Sequence, residues 1–207
     1  MEINAGRLWN RLQELGKIGV DPHGGITRWT FTEEDMQARD WLADQMKQAG
    51  LSVREDPVGN VIGTYNPADS LEAPVLSGSH FDTVRCGGIF DGCLGLLAAL
   101  EAAQTLKENN VMLKRPLMVI GYRDEEGNRF SSGMVGSKVV TGKADDADFL
   151  AQDATGITIG EAMKQRGYHP EDYKQGRIDP IHASVELHIE QGKVLEQADC
   201  PVGIVEG

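Results

Sequence analysis

The order of apolar and polar positions predicts helices and strands along most of the chain. Apolar residues recur at helical spacing over residues 5–16, and Thr32 with the acidic residues after it is typical of the start of a second helix that runs to about Ala49. The segment 51–65 predicts two short strands around a turn at 56–60. These elements precede a longer unit of alternating strands and helices.

A strand–helix–strand unit begins near Pro74. Residues 75–78 form a short apolar run, residues 94–106 are rich in alanine and leucine, and residues 117–122 are apolar throughout. Because strands joined through a helix run parallel and cross over with a right hand, this order predicts two parallel strands covered on both faces. The sequence therefore indicates an α/β fold.

The last part of the chain continues this alternation. Thr158 and Glu161 are spaced as a helix cap, and the helix that they open is predicted to end near Gly167. Period-two alternation over residues 183–189 predicts a further strand. The apolar stretch 202–206, directly before the last residue, is typical of the middle of a strand, and we therefore expect the chain to be a fragment.

Composition and charge exclude several classes of protein. The chain has 207 residues, of which 40% are hydrophobic, enough for the core of one domain. A net charge of −12 argues against a nucleic-acid partner, which needs a basic face. No apolar run is long enough to cross a bilayer, and the first residues lack the order of a signal peptide. Three cysteines without a CxxC pair favour a reducing cytoplasm.

Residues able to bind a metal or transfer protons stand at the ends of three predicted strands and in one glycine-rich turn. Ligands of open parallel sheets bind beyond the carboxyl ends of the strands, so we expect these side chains to meet. Imidazole with carboxylate suits Zn²⁺, with Mn²⁺, Co²⁺ and Ni²⁺ as alternatives. The residues are His80, Asp82, Asp91, Glu125, Glu126 and His188.

Two spacings within this set have a physical interpretation. A metal-bound imidazole usually donates its other N–H to a carboxylate, and Asp82 is a candidate partner for His80. Adjacent Glu125 and Glu126 point in different directions, so one can bind metal while the other faces water. Each pattern alone is more typical of solvated polar groups. The residue types by themselves therefore leave a metal site and an ordinary polar edge equally open.

Three ordered blocks of sequence resemble a known family. Residues 78–84 with 87–92, then 125–130, then 186–192 are similar to the motifs of the N-carbamoyl-amino-acid hydrolase and allantoate amidohydrolase family. That family is a branch of the two-metal superfamily that includes aminoacylases and glutamate carboxypeptidases. The resemblance spans nearly the whole chain and implies a three-layer α-β-α catalytic domain with a mixed, largely parallel sheet.

The resemblance also implies a role for each matching residue. Asp91 would bridge two divalent ions, Zn²⁺ or Mn²⁺ by preference, with His80 and His188 completing one site and Glu126 belonging to the other. Glu125 would be the general base that takes a proton from the attacking water and passes it to the leaving nitrogen.

Two further residues have roles that are less central to the metal ions. Asp82 would support catalysis through His80, and Gln191 would contact the substrate.

The activity implied is hydrolysis of N-carbamoyl-L-amino acids to the amino acid, ammonia and carbon dioxide. The alternatives are allantoate hydrolysis, with 3-ureidopropionate as another possible substrate, and a truncated, catalytically incomplete metal-binding module. The family has a later metal-binding histidine and a dimerisation (lid) domain that nothing in this chain matches. We therefore expect residues 1–207 to be the N-terminal portion of the catalytic domain, weakly active or inactive alone, from a protein that is a homodimer through its lid domain.

Overall fold

The computed structural model describes residues 1–205, and six α-helices and five β-strands lie within that range. The helices are α1 (Ala5–Leu15), α2 (Glu33–Gln48), α3 (Cys93–Glu108), α4 (Val135–Thr141), α5 (Ile159–Gln165) and α6 (Val194–Gln197). The strands are β1 (Ser52–Glu55), β2 (Val61–Tyr65), β3 (Val75–His80), β4 (Leu117–Tyr122) and β5 (Ala183–Val185). Two 3-10 helices, Asp148–Leu150 and Pro170–Gly176, join later elements.

Polar caps fix the starts of the predicted helices. The side chain of Asn4 accepts the main-chain N–H of Arg7 at 2.9 Å and so caps α1. Thr32 caps α2, and Thr158 with Glu161 forms the reciprocal capping box of α5. The helices predicted over 5–16, 32–49 and 158–167 are therefore confirmed.

The five strands form one mixed sheet in the order β1-β2-β4-β3-β5. β2 is antiparallel to both β1 and β4, whereas β3 is parallel to both β4 and β5. The predicted parallel crossover from β3 through α3 to β4 is confirmed, with Val75 opposite Leu117 and His80 opposite Tyr122. The sheet is mixed as expected, and two of its four pairings are parallel.

Helices cover the sheet on both faces. On one face α2 and α3 pack against the strands and α1 packs against α3, through buried apolar residues such as Leu12, Leu42, Leu96 and Val119. On the other face α4 contributes Val140 to a smaller core with Ile62, Leu76 and Ile120. This arrangement is the predicted three-layer α-β-α domain, although the sequence did not indicate α4. None of the helices within residues 1–205 combines the length and apolarity needed to cross a membrane.

The end of the chain departs from the predicted strands. β5 ends at Val185 rather than at residue 189, because its pairing with β3 stops there and the chain then leaves the sheet. Residues 202–205 have no regular secondary structure, so the strand predicted over 202–206 is wrong for that part. Its last residue, Glu206, lies outside the described residues.

Candidate metal centre

Three predicted ligands meet at the carboxyl edge of the sheet. His80 ends β3, Asp91 precedes α3, and His188 follows β5. One ligand atom from each lies within 4.8 Å of the others. Asp91 Oδ1 is 3.8 Å from His80 Nε2 and 3.4 Å from His188 Nε2. Two imidazole nitrogens and one carboxylate oxygen therefore face a common point.

The surroundings of Asp91 fit a cation. Its Oδ1 is buried and has no hydrogen-bond partner among the described residues. Leaving a buried carboxylate oxygen without a partner is costly, and such atoms in native proteins are rare. A divalent ion between this oxygen and the two imidazoles would satisfy it, and the mixed nitrogen and oxygen donor set is one that Zn²⁺ accepts.

A glycine brings Asp91 next to His80. Gly92 has a positive φ of 64°, and a Cβ built on it would lie 2.5 Å from three atoms of the His80 ring. No other residue fits that position without displacing the imidazole. The glycine-rich turn is therefore required for the cluster to form.

The imidazole of His80 has a different hydrogen-bond partner from the expected one. Its Nδ1 lies 2.9 Å from the main-chain oxygen of Asp82 and 3.7 Å from the Asp82 carboxylate. The carboxylate is instead engaged by the main-chain N–H groups of Glu125, at 3.2 Å, and Glu126, at 3.1 Å. The prediction that this carboxylate accepts the imidazole N–H is therefore wrong, but the main-chain contact equally leaves Nε2 free for a metal.

Glu125 and Glu126 lie on the turn after β4. Glu125 Oε2 accepts the Ser137 hydroxyl of α4 at 3.0 Å. Burial raises the pKa of both glutamates, and the Ser137 hydrogen bond opposes this for Glu125. Glu126 lines the same cavity but is not part of the three-residue cluster. The structure thus groups His80, Asp91 and His188, with Glu126 nearby rather than among them.

A buried polar network lies beneath the turn after β4 that carries Glu125 and Glu126. The guanidinium of Arg123 is 3.0 Å from Asp35, and both side chains are almost fully buried. The main-chain N–H of Arg123 donates to Asn60 at 2.9 Å. Burial raises the pKa of neighbouring Asp124 to about 8, so that carboxyl is mostly protonated at neutral pH. This network was not predicted from the sequence, since its members are far apart in the chain.

An open cavity of about 650 Å³ lies over the cluster. Gln191, predicted to contact substrate, lines it and donates from Nε2 to Asp91 Oδ2 at 2.9 Å. Two lining or adjacent residues were missed as functional candidates, Glu186 and Ser137. The signal was available, because Glu186 begins the third sequence block and Ser137 follows the second. The cavity is lined by His80, Glu125, Glu126, Gly133, Met134, Glu186, His188, Gln191 and Val205.

The chain is similar to amidohydrolases of known family. It is 47% identical over 207 residues to an N-carbamoyl-L-amino acid amidohydrolase of Geobacillus stearothermophilus, covering 99% of this chain and 51% of that protein. It is 37% identical over 195 residues to an allantoate amidohydrolase of Bacillus subtilis, covering 94% and 47%. The chain thus spans about half the length of the curated relatives it matches.

The fold is shared with a solved relative. The crystal structure of a hydantoinase/carbamoylase family amidase from Burkholderia ambifaria superposes with a TM-score of 0.87 at 41% identity, covering 96% of this chain and 48% of that one. The model of peptidase family M20/M25/M40 matches residues 76–205, which contain all the residues of the cluster. The match covers more than half of the chain, and the chain therefore belongs to peptidase family M20/M25/M40.

Proposed function

We propose that this chain carries part of the active site of a metal-dependent amidohydrolase that cleaves the ureido C–N bond of N-carbamoyl-L-amino acids. The observation that carries the proposal is the cluster of His80, Asp91 and His188, with the unpartnered Asp91 oxygen at its centre and Glu125 on the wall of the same cavity. Metal ligands beside a partly buried carboxylate are the parts that amide hydrolysis at a metal requires.

Each residue has a chemical task in this proposal. His80, Asp91 and His188 would hold one divalent ion, and Asp91 with Glu126 would contribute to a second. The bound metal supplies polarisation of the substrate carbonyl and a lower pKa for water. Zn²⁺ or Mn²⁺ fits this donor set, with Co²⁺ and Ni²⁺ as alternatives.

Proton transfer is the task of Glu125. The Ser137 hydroxyl holds its Oε2, which leaves Oε1 to take a proton from the attacking water and deliver it to the leaving nitrogen. Burial raises the pKa of Glu125, which makes its carboxylate a stronger base. Asp82 supports this arrangement by holding the main chain of Glu125 and Glu126 with its carboxylate.

The choice of substrate follows the comparisons. The higher identity to the Geobacillus protein favours an N-carbamoyl-L-amino acid, and the similarity to the Bacillus protein supports allantoate as the second candidate. Both molecules present a ureido group next to a carboxylate. Dimerisation through a lid domain stays a prediction of the family resemblance, and a cytoplasmic location stays a prediction from the cysteine content.

The test is release of ammonia from a substrate panel. The chain, loaded with Zn²⁺ or Mn²⁺, is incubated with N-carbamoyl-L-amino acids, allantoate and 3-ureidopropionate, and ammonia is measured with and without chelator. We expect slow, chelator-sensitive release, largest from an N-carbamoyl-L-amino acid. Release that chelation leaves unchanged would contradict the proposal. Metal binding without release from any substrate would favour the incomplete metal-binding module.

A further inference from the structure

His188 is presented to the cluster by a segment that has left the sheet. The last main-chain pairing of β5 with β3 is at Val185, and residues 186–190 have no regular secondary structure. The His188 side chain is 32% exposed, against 4% for His80. An irregular, exposed segment needs other contacts if it is to hold an imidazole at a fixed point, because ordering it costs conformational entropy.

The first such contact lies two residues before His188. Glu186 Oε1 accepts the Ser79 hydroxyl at 2.5 Å. Ser79 is 1% exposed and stands next to His80 at the end of β3. A hydrogen bond to a carboxylate is stronger than one between neutral groups, so it ties the segment to the strand that carries the other imidazole.

The second contact lies three residues after His188. Gln191 Nε2 donates to Asp91 Oδ2 at 2.9 Å, the carboxylate oxygen opposite the one that faces the imidazoles. Gln191 has a φ of 55°, a left-handed conformation that is uncommon outside glycine. The backbone of Gln191 is thus in an uncommon conformation at the point where its side-chain amide contacts Asp91.

Between the two contacts the main chain lies directly on α3. A Cβ built on Gly95 would collide with the carbonyl oxygen of Leu187. Only a glycine allows this approach, so α3 supports the segment from below while Glu186 and Gln191 hold it on either side.

We propose that Glu186 and Gln191 are positioning residues that hold His188 in the metal cluster, Glu186 through Ser79 and Gln191 through Asp91. This proposal rests on the proposed function. It gives Gln191 a role in positioning a metal ligand, in addition to any contact with substrate. Residues that form hydrogen bonds to metal ligands and orient them typically raise the affinity for the metal by about 10- to 100-fold. Loss of either contact therefore weakens metal binding without removing a ligand.

The experiment is a titration with Co²⁺ alone, followed by its visible absorption, on the wild-type chain and four variants. Gln191→Leu removes the amide donor at similar size, and we expect Co²⁺ affinity to fall by about 10- to 100-fold. Glu186→Ala removes the acceptor and should weaken binding by about 10-fold, with an altered absorption spectrum. Glu186→Gln keeps an acceptor oxygen for Ser79 and should restore binding.

Gln197→Leu is the matched control, since Gln197 is exposed on α6 and belongs to neither contact. Circular dichroism of each variant checks that the helices are intact. Gln191→Leu or Glu186→Ala with an affinity within about twofold of wild type, or Glu186→Gln as weak as Glu186→Ala, would overturn the inference. A wild-type chain that binds no Co²⁺ would instead refute the metal centre, and with it the positioning roles.

Discussion

The proposed role of Glu125 as the general base can be tested by a substitution that changes one side-chain oxygen. Glu125→Gln keeps an oxygen for the Ser137 hydroxyl and removes the ability to take a proton. We expect ammonia release to fall by at least about 100-fold, the lower end of what a positioned base contributes, with metal content unchanged. Activity is measured on metal-loaded protein and metal by elemental analysis. Normal turnover would refute the role of Glu125 as the base.

The charge of Asp153 gives a pH-dependent contribution to stability. The Thr155 hydroxyl, at 2.6 Å, and nearby main-chain N–H groups lower the pKa of Asp153 to about 2. A depressed carboxyl pKa stabilises the fold above the unfolded value of about 4, and that contribution is lost as the pH falls towards 2. We therefore expect Asp153→Asn to lower the free energy of unfolding at pH 7, by an amount that shrinks below pH 4.

Urea unfolding of both proteins at several pH values measures this difference. Asp69→Asn is the control, because Asp69 is exposed and its left-handed backbone tolerates asparagine. A difference between Asp153→Asn and wild type that is constant from pH 7 to pH 3 would contradict the prediction.

At the scale of elements, the sequence predicted those that carry their own local signals. α1, α2 and α5 have polar caps and apolar spacing, and the strands of the central crossover are apolar runs of strand length. α4 has no such signal, since Met134, the residue before its first turn, has a left-handed conformation and provides no side-chain cap. Contacts with the turn after β4, such as Gly136 N–H to Arg123 O, position it instead.

The end of β5 shows the opposite error. Alternation continues to residue 189, yet pairing stops at Val185, and two residues later the main chain passes over Gly95 at Leu187. A contact between residues so far apart in sequence cannot be read from a local pattern. The same is true of the Asp35–Arg123 pair, in which Asp35 lies in the first turn of α2 but serves the turn after β4.

Gly95→Ala separates the support of this segment from the stability of α3. Alanine favours a helix over glycine by up to about 1 kcal/mol, so α3 itself should not weaken. The added Cβ would collide with the Leu187 carbonyl and push the segment outward. We expect Co²⁺ affinity to fall by at least about 10-fold, as for loss of an orienting partner, with helical circular dichroism retained.

Gly6→Ala in α1 is the matched control, because its built Cβ makes only an ordinary contact of 3.5 Å. Unchanged Co²⁺ affinity in the Gly95→Ala variant would show that the approach of Leu187 to α3 does not matter for the site.

The buried ion pair behind the site is a stability element. Asp35→Ala would leave the Arg123 guanidinium buried without its carboxylate partner. Breaking a buried pair on one side typically costs about 3–5 kcal/mol, and we expect a loss of that size in the free energy of unfolding, measured with urea. Asp40→Ala on the exposed side of the same helix should cost far less. Equal effects of the two substitutions would contradict a structural role for the pair.

On the scale of the whole molecule, His188 lies far along the chain from His80 and Asp91, and the three candidate metal ligands meet only when the sheet forms. The sequence could predict that His80, Asp91 and His188 lie together, because the ends of parallel strands meet at one edge of the sheet, whereas their roles rest on the family resemblance. It could not predict distances, and therefore not that Glu126 stands outside the three-residue cluster. A site assembled by the fold links metal binding to folding.

This link predicts that metal raises thermal stability. We expect about one equivalent of Co²⁺ to bind tightly, at the three-ligand cluster. At a free concentration 100 times the Kd, binding to the folded state alone adds about 2.7 kcal/mol. Calorimetry with and without Co²⁺ measures the rise in Tm, and the His188→Ala variant should lose most of it. An unchanged Tm in saturating Co²⁺ would contradict the prediction.

The unequal exposure of the two imidazoles has a consequence for the exchange of ions. His80 is enclosed by the sheet and the turn, whereas His188 faces solvent. An ion at the proposed site would therefore be more open to solvent, and to a chelator, on the side of His188 than on the side of His80. The rate of metal release would then depend on how often the segment that carries His188 moves away. His80 would stay in place meanwhile, ready to bind another ion.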